Sequence, residues 1–224
     1  MMYILNIHTA TETAIVNLSA DGKVLGTLMN DEPKKHATFL HVAIKNLLQQ
    51  ESLSAKQLNA VGVSSGPGSY TGIRVGLAAA KGLCYALNIP LITYNSLELM
   101  AYTSLMGTKE RDALFCPMID ARRMEVYTAV YDYKGNEIMP PLALVLTEDS
   151  FKDILSTKKI IFSGNGSLKF RNLTNNENSI FINSEISTHS LAGLSLTKFE
   201  KGKFENIFYS KPLYIKDFVP PIKQ

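Results

Sequence analysis

The sequence predicts an α/β protein of two related lobes facing each other across a cleft. Three observations carry this. Short apolar strand-like runs alternate with segments of helical period along the chain. The stretch Val63-Ser64-Ser65-Gly66-Pro67-Gly68-Ser69 rhymes with Ile161-Phe162-Ser163-Gly164-Asn165-Gly166-Ser167, and each lies downstream of a strand that ends in a polar turn (Ile7-His8-Thr9 and Ile119-Asp120-Ala121). A polar break, Gly107 to Asp112, then divides the chain into an N-terminal lobe, 1–106, and a C-terminal lobe, 107–224. The 224 residues suit two small lobes, and a chain of that length buries roughly 70–75% of its unfolded surface without staples.

The elements are read in order along the chain. Residues 2–7 read as a buried strand; 13–19 and 23–29 alternate as strands around the hairpin turn Asp21-Gly22. Pro33 leads into a helix over about 34–50, with Ala37, Leu40, Ile44, Leu47 and Leu48 on one stripe. Phe39, Val42 and Ala43 lie off that stripe, so this helix needs a second packing partner. A strand at 60–65 runs into a glycine-rich segment, followed by a helix at about 71–87, a strand from Leu91 to Tyr94, and a helix from Ser96 to Met106 with Ser96 as its cap. The second half starts again with strands at 114–119 and 124–132 and a turn at Lys134-Gly135-Asn136. A helix near 148–156, a strand at 159–163 and a helix at 189–201 complete the chain.

Composition excludes several classes. The chain is 46% apolar and 19% charged, ordinary for a soluble protein. Cys84 and Cys116 sit in apolar stretches with no CxxC pair, and read as small buried hydrophobes of a reducing compartment rather than a zinc or redox site. The N-terminus lacks the pattern of a signal peptide, and no apolar run approaches a membrane span, so a cytoplasmic protein without membrane contact is expected. The net charge of +3 is carried by residues 198–224, where lysines 198, 201, 203, 211, 216 and 223 outnumber Glu200, Glu205 and Asp217. Phe199, Phe204, Phe208, Tyr209, Tyr214 and Phe218 interleave with them. Such a tail can grip RNA. The plainer reading, favoured here, is a terminal arm that packs its rings on the body and solvates its lysines.

The glycine segment Ser64 to Gly76 resembles a phosphate loop until its spacing is counted. A dinucleotide loop needs G-x-G-x-x-G; Gly66 and Gly68 fit, but Thr71 stands third and Gly72 falls one residue late. A P-loop counted from Gly76 would need glycine at 81, which is Lys81. A tight turn remains, with Ser69 or Thr71 able to cap the helix after it. Gly72, Gly76 and Ala80 then recur every four residues beside Ala79. Each internal helix glycine costs about 1 kcal/mol relative to alanine. A close neighbour must offset that: either the helix at 34–50 or a helix of another subunit.

The run from Ser64 through Thr71-Gly72-Ile73-Arg74-Val75-Gly76 to Leu83 resembles the signature of the bacterial tRNA threonylcarbamoyladenosine biosynthesis proteins of the TsaB family. His8-Thr9-Ala10-Thr11-Glu12, Ile119 to Tyr127 and Lys211 to Asp217 fit it in the right order. The resemblance implies the two-lobed fold of actin, sugar kinases and heat-shock chaperone ATPases. It implies a non-catalytic subunit with no tightly bound cofactor, which pairs with a TsaD-like transferase through a helical bundle of the first lobe. A TsaE-like ATPase joins them, ATP is used by the partner subunits, and tRNA is met indirectly or weakly. On the matching helices that pairing would use Phe39, Val42, Ala43, Gly72, Ile73, Arg74, Gly76, Leu77 and Ala80. A homodimer is among the states open to the isolated chain.

The residues agree that catalysis is lost. TsaD-like enzymes hold a metal with two histidines at i and i+4 of a helix. Here His36 is followed by Leu40, and His41 lies roughly 140° around the helix. Where actin-like ATPases carry an acidic residue in the first turn, this chain has His8, a poor ligand for Mg²⁺. Glu12 reads as a solvated turn residue, and Asp120 as a turn cap or a partner of Arg122 or Arg123. His189 stands alone, no catalytic triad is legible, and no metal site is expected. His8, Thr9, Gly66, Gly68, Ser69 and Asp120 then outline a vestigial cleft. The competing readings are a small ATPase or metallopeptidase-like enzyme using the interlobe cleft, and a tRNA-binding module acting through the 198–224 tail.

Overall fold

The structure, a computed structural model, describes residues 1–32 and 35–216. It opens with an antiparallel meander, β1 (Tyr3–His8), β2 (Ala14–Ala20) and β3 (Lys23–Asn30). Asp21 and Gly22 take φ of 48° and 76°, as a two-residue hairpin turn requires. After α1 (His36–Gln50) come β4 (Leu58–Gly66), α2 (Tyr70–Leu87), β5 (Leu91–Asn95) and α3 (Ser96–Met106). The first sheet runs β3-β2-β1-β4-β5, with β4 and β5 parallel to β1. Asn95, not Ser96, caps α3, its side chain accepting from the Leu97 N–H.

The second half repeats this plan. β6 (Leu114–Asp120), β7 (Glu125–Tyr131) and β8 (Glu137–Val145) form a second meander; α4 (Lys152–Leu155), β9 (Ile160–Ser163), α5 (Ser167–Arg171), β10 (Ser179–Phe181) and α6 (Thr188–Glu200) complete it. The sheet runs β10-β9-β6-β7-β8, the same topology, with β9 and β10 parallel to β6. The two halves differ in their helices. α1 and α2 have 15 and 18 residues, whereas their counterparts α4 and α5 have 4 and 5. The helix expected near 148–156 thus shrinks to one turn. β8, α5 and β10 have no clear signal in the sequence: Pro140 and Pro141 disguise an edge strand, and the other two are too short for periodicity to register.

Core packing obeys strand alternation. On the first sheet Leu5, Ile7, Val16, Leu18, Val61 and Val63 face α1 and α2, while Ile4, Ile15, Ala60, Ile92 and Tyr94 face the other way, onto Leu191 and Leu194 of α6. On the second sheet Phe115, Ala129, Tyr131 and Ile161 meet Leu97, Met100 and Ala101 of α3, and the opposite face is closed by the rings of Phe151, Phe162, Phe170 and Phe181. The helix that ends the first half therefore packs on the second sheet, and the helix that ends the second half packs on the first. A cut between residues 106 and 107 separates the strands of the two sheets but divides their packing. Among the described residues no helix is long and apolar enough to cross a membrane.

The turn after β1 rests on α2 at unusually short range. Thr9 donates its hydroxyl to the Gly72 carbonyl (2.7 Å), and Ser69 N–H donates to the Ala10 carbonyl (2.7 Å). A Cβ on Gly72 would lie 1.9 Å from the Thr9 carbonyl oxygen, and one on Gly76 2.3 Å from Thr9 Oγ1. Gly82, on an exposed side of the helix, has nothing within 4 Å of such a Cβ. The same substitution should therefore act with opposite signs two turns apart. Gly76→Ala should destabilise by about 1–3 kcal/mol through overpacking, and Gly82→Ala should stabilise by up to about 1 kcal/mol through helix propensity. Urea midpoints of the two variants check this; a shift in the same direction for both would refute the packing argument.

Candidate functional site

Two regions are candidates for a site: the cleft between the lobes and the outer face of α1 and α2. The cleft encloses about 1030 Å³. Its walls are the first turn (Ala10 to Thr13), Gly68 to Tyr70, the β6–β7 turn from Asp120 to Arg122, the start of α5, and residues 181–186. Of the six residues expected to outline it, Gly68, Ser69 and Asp120 line it, while His8, Thr9 and Gly66 lie behind its wall. Gly66 (φ 114°) is pressed against the arm after α6, since a Cβ there would sit 2.7 Å from the Leu213 carbonyl oxygen. Gly68 (φ 148°) meets the Ala10 carbonyl, and Ser69 caps α2 by accepting from the Gly72 N–H (3.2 Å).

His8 is fully buried and bonded at both ring nitrogens, Nδ1 to Ser64 Oγ and Nε2 to Thr11 Oγ1 (2.8 Å). Burial, with the nearby His36 as a lesser cause, pushes its pKa down to about 3, so the ring is neutral. Thr11 Oγ1 donates onward to the Thr13 carbonyl, which makes His8 the donor at Nε2 and the acceptor at Nδ1. His36, also buried, donates from Nε2 to the Thr11 carbonyl (3.2 Å) and ties the start of α1 to the same turn. Leu40 packs in the core and His41 is exposed. Thus both histidines near the turn are struts.

Asp120 caps its turn, accepting the Arg122 N–H (2.6 Å), but its ion-pair partner is Lys169 of α5 (2.7 Å) rather than either arginine. Arg122 and Arg123 both take left-handed backbone angles, φ 71° and 48°. The Lys169 contact holds the Asp120 carboxyl below the usual carboxylate range. The sequence gives no pointer to Lys169, because α5 itself is not legible in it. Glu12 is exposed at the cleft rim, and His189, at the start of α6, is exposed but does not line the cleft. Both cysteines are buried, and burial pushes the Cys84 thiol up to about 11 and that of Cys116 up to about 12. Among the described residues no three His, Cys, Asp or Glu side chains gather around a point where a metal would fit.

Most of the expected helix face is buried within the chain itself. Gly72, Ile73, Gly76, Leu77 and Ala80 of α2, and Ala43 of α1, point into the protein. The glycines accommodate Thr9, not a neighbouring helix. Ala37, expected on the buried stripe of α1, is exposed instead. Val42 (57% exposed), Arg74 and the half-buried Phe39 are the remainder of the expected face, joined by Ala78, Gly82 and Tyr85. Arg74 is already engaged: its Nε donates to the Tyr214 hydroxyl (2.8 Å), and its guanidinium lies 4.2 Å over the Tyr70 ring. Helical spacing alone cannot say which of two apolar sides faces the core; a turn from elsewhere in the chain decides it.

The family model described as TsaD, tRNA N6-adenosine threonylcarbamoyltransferase, matches residues 26–207. The chain belongs to the TsaD family. Within that family its likeness is to TsaB. The tRNA threonylcarbamoyladenosine biosynthesis protein TsaB of Bacillus subtilis (strain 168) is 33% identical over 66% of this chain and 64% of its own length. TsaB of Escherichia coli (strain K12) is 34% identical over 61% and 58%. The chain thus spans somewhat under two thirds of these relatives. A solved Pseudomonas aeruginosa protein, described as uncharacterized with similarity to peptidase YeaZ, superposes with a TM-score of 0.82 at 21% identity, covering 96% of this chain and 100% of that one. An Arthrobacter polyphosphate/ATP-glucomannokinase superposes with a TM-score of 0.52 at 11% identity over 90% of this chain and 100% of its own. These likenesses establish the two-lobed α/β fold shared by TsaB-type proteins and sugar kinases.

His8 supplies a pH test of this TsaB-type core. Its pKa lies below the unfolded value of 6.5, so the unfolded chain takes up a proton between pH 6.5 and 3 that the folded chain refuses. The stability it secures is complete above pH 6.5 and declines as pH falls through that window. Between pH 7 and pH 5 the loss should be about 2 kcal/mol. In His8→Asn that pH-dependent part should vanish, even though the variant is less stable overall. Urea unfolding of both proteins at the two pH values checks it; equal slopes against pH would show that His8 is not held neutral.

Proposed function

We propose that this chain is a non-catalytic subunit of the cytoplasmic assembly that places a threonylcarbamoyl group on the adenosine beside the tRNA anticodon. It pairs with and activates a TsaD-like transferase, helps to recruit a TsaE-like ATPase, and leaves the ATP to those partners. The observation that carries this reading is how the polar groups near the cleft are used. His36 braces the first turn, Leu40 stands in the core where a second metal-binding histidine would be needed, and His8 is bonded at both nitrogens. Asp120 is taken by Lys169. Chemistry needs groups that can exchange partners, and these are committed to the fold.

The unequal helices support the pairing. Among the described residues only the first lobe keeps long helices outside its sheet, and they expose Val42, Ala78 and Gly82 in succession. Small residues on an exposed helix face admit a second helix closely. A homodimer of the isolated chain would use the same face. The competing enzyme reading draws on the size of the cleft, and turnover of Mg·ATP by the isolated chain at micromolar affinity would favour it.

The test is co-expression with TsaD-like and TsaE-like partners and measurement of the modified nucleoside in tRNA. Omitting this chain should abolish modification. Ala78→Glu, on the exposed face, should leave the melting temperature within a few degrees of the parent while weakening co-purification with the transferase at least tenfold. Undiminished modification without the chain would sink the reading. Intact pairing in Ala78→Glu would move the interface elsewhere.

A further inference from the structure

The arm after α6 doubles back over the first lobe. Glu205 bridges to Leu91 at the β5 edge, and the Lys81 ammonium donates to the Ser210 carbonyl (2.9 Å). These anchors bring the last turns of α2 against residues 208–211. Tyr85, Phe208 and Tyr209 lie there at 69%, 71% and 83% exposure, the three most exposed aromatic side chains among the described residues. Tyr85 and Phe208 meet edge to face, with ring centroids 6.2 Å apart and planes at 78°.

The rings at the two ends of the arm behave as an ordinary packed arm would. Phe199 and Phe204 contact each other, and Tyr214 stacks on Tyr70. The middle presents its rings most fully to water, Phe208 at 71% and Tyr209 at 83% against 46% for Phe204 and 40% for Tyr214, although burying them would be favourable. Lysines flank them. Lys81 lies one helical turn before Tyr85, Lys211 two residues after Tyr209, and neither enters an ion pair among the described residues. The neighbouring Glu205 is turned to the Thr93 hydroxyl (3.3 Å).

We propose that Tyr85, Phe208 and Tyr209, with Lys81 and Lys211, form a docking surface for unpaired RNA, bases stacking on the rings and phosphates meeting the ammonium groups. This rests on the tRNA reading above and names the part of the chain that touches the tRNA. Two features favour RNA over a protein partner. Lysine is depleted in protein interfaces, whereas rings interleaved with lysines suit single-stranded nucleic acid. Among the residues beside Tyr85 and Phe208, Asn88 and Asn206 are exposed amides able to hydrogen-bond bases or phosphates.

The test is fluorescence anisotropy of a labelled anticodon stem–loop RNA, and of a fully paired duplex of equal length, titrated with the purified full chain at about 50 and 200 mM salt. The stem–loop should bind more tightly than the duplex. Tyr209→Ala should weaken stem–loop binding about fivefold or more, with Tyr209→Trp restoring it. Lys211→Ala should flatten the salt dependence. Circular dichroism of the double variant Phe208→Ala/Tyr209→Ala should match the parent. Unchanged affinity in that variant, or no preference for the loop, overturns the proposal. So does a double variant that keeps RNA affinity but loses co-purification with the transferase, which would make the patch a protein interface. If either occurs while the chain still supports tRNA modification, the functional reading stands and only the RNA surface falls.

Discussion

The seating of the first turn on α2 sets most of the geometry of the first lobe. Thr9 presses its carbonyl and hydroxyl against the side of the helix where Gly72 and Gly76 carry no side chain. Two glycines inside a helix are costly in isolation, and the offset is visible: a hydroxyl–carbonyl bond, and burial of Ile73 and Leu77 on the same side. The contact also fixes which way α2 faces. With the glycine side turned inward, Ala78, Gly82 and Tyr85 must face outward. His8 is shut behind the same turn, where water cannot reach it and the charged form is excluded.

Duplication supplies the second constraint. Both halves form the same five-stranded sheet, yet each meander-based sheet needs cover on two faces. The halves solve one face alike, by lending the last helix to the other lobe. They solve the opposite face differently. The first sheet is covered by two long helices, and the second by a phenylalanine cluster under two short ones. Aromatic rings fill much area per residue, so the second lobe closes its core without helices that project. Among the described residues an outer face of two long helices is therefore present on one lobe only, which gives the molecule a polarity that its duplicated topology lacks.

Legibility in the sequence tracks the range of the interactions. The first meander, α1, α2 and the repeated strand-to-turn segments are specified by local period and turn chemistry, and are readable. β8 is hidden by Pro140 and Pro141, and α5 by its five residues. The site is harder to read, because its geometry is set by contacts distant in sequence. Gly76 meets Thr9 across the lobe, and Asp120 meets Lys169 from an element with no periodic signature. Composition of the tail points to rings and lysines, but not to which rings find partners. The C-terminal residues Asp217, Phe218 and Lys223, and Pro33 before α1, fall outside the described residues.

Membership of a transferase family and a structural role are compatible on physical grounds. A two-lobed fold offers a cleft and an outer helical face, and the groups that would do chemistry at the first can be converted to supports for the second. His36 is such a support. An imidazole that donates to the Thr11 carbonyl fixes where α1 begins relative to the first turn. That turn in turn fixes α2 through Thr9. The two helices are thereby positioned relative to one another by groups lying behind the cleft wall, so the placing of the outer face depends on that polar network.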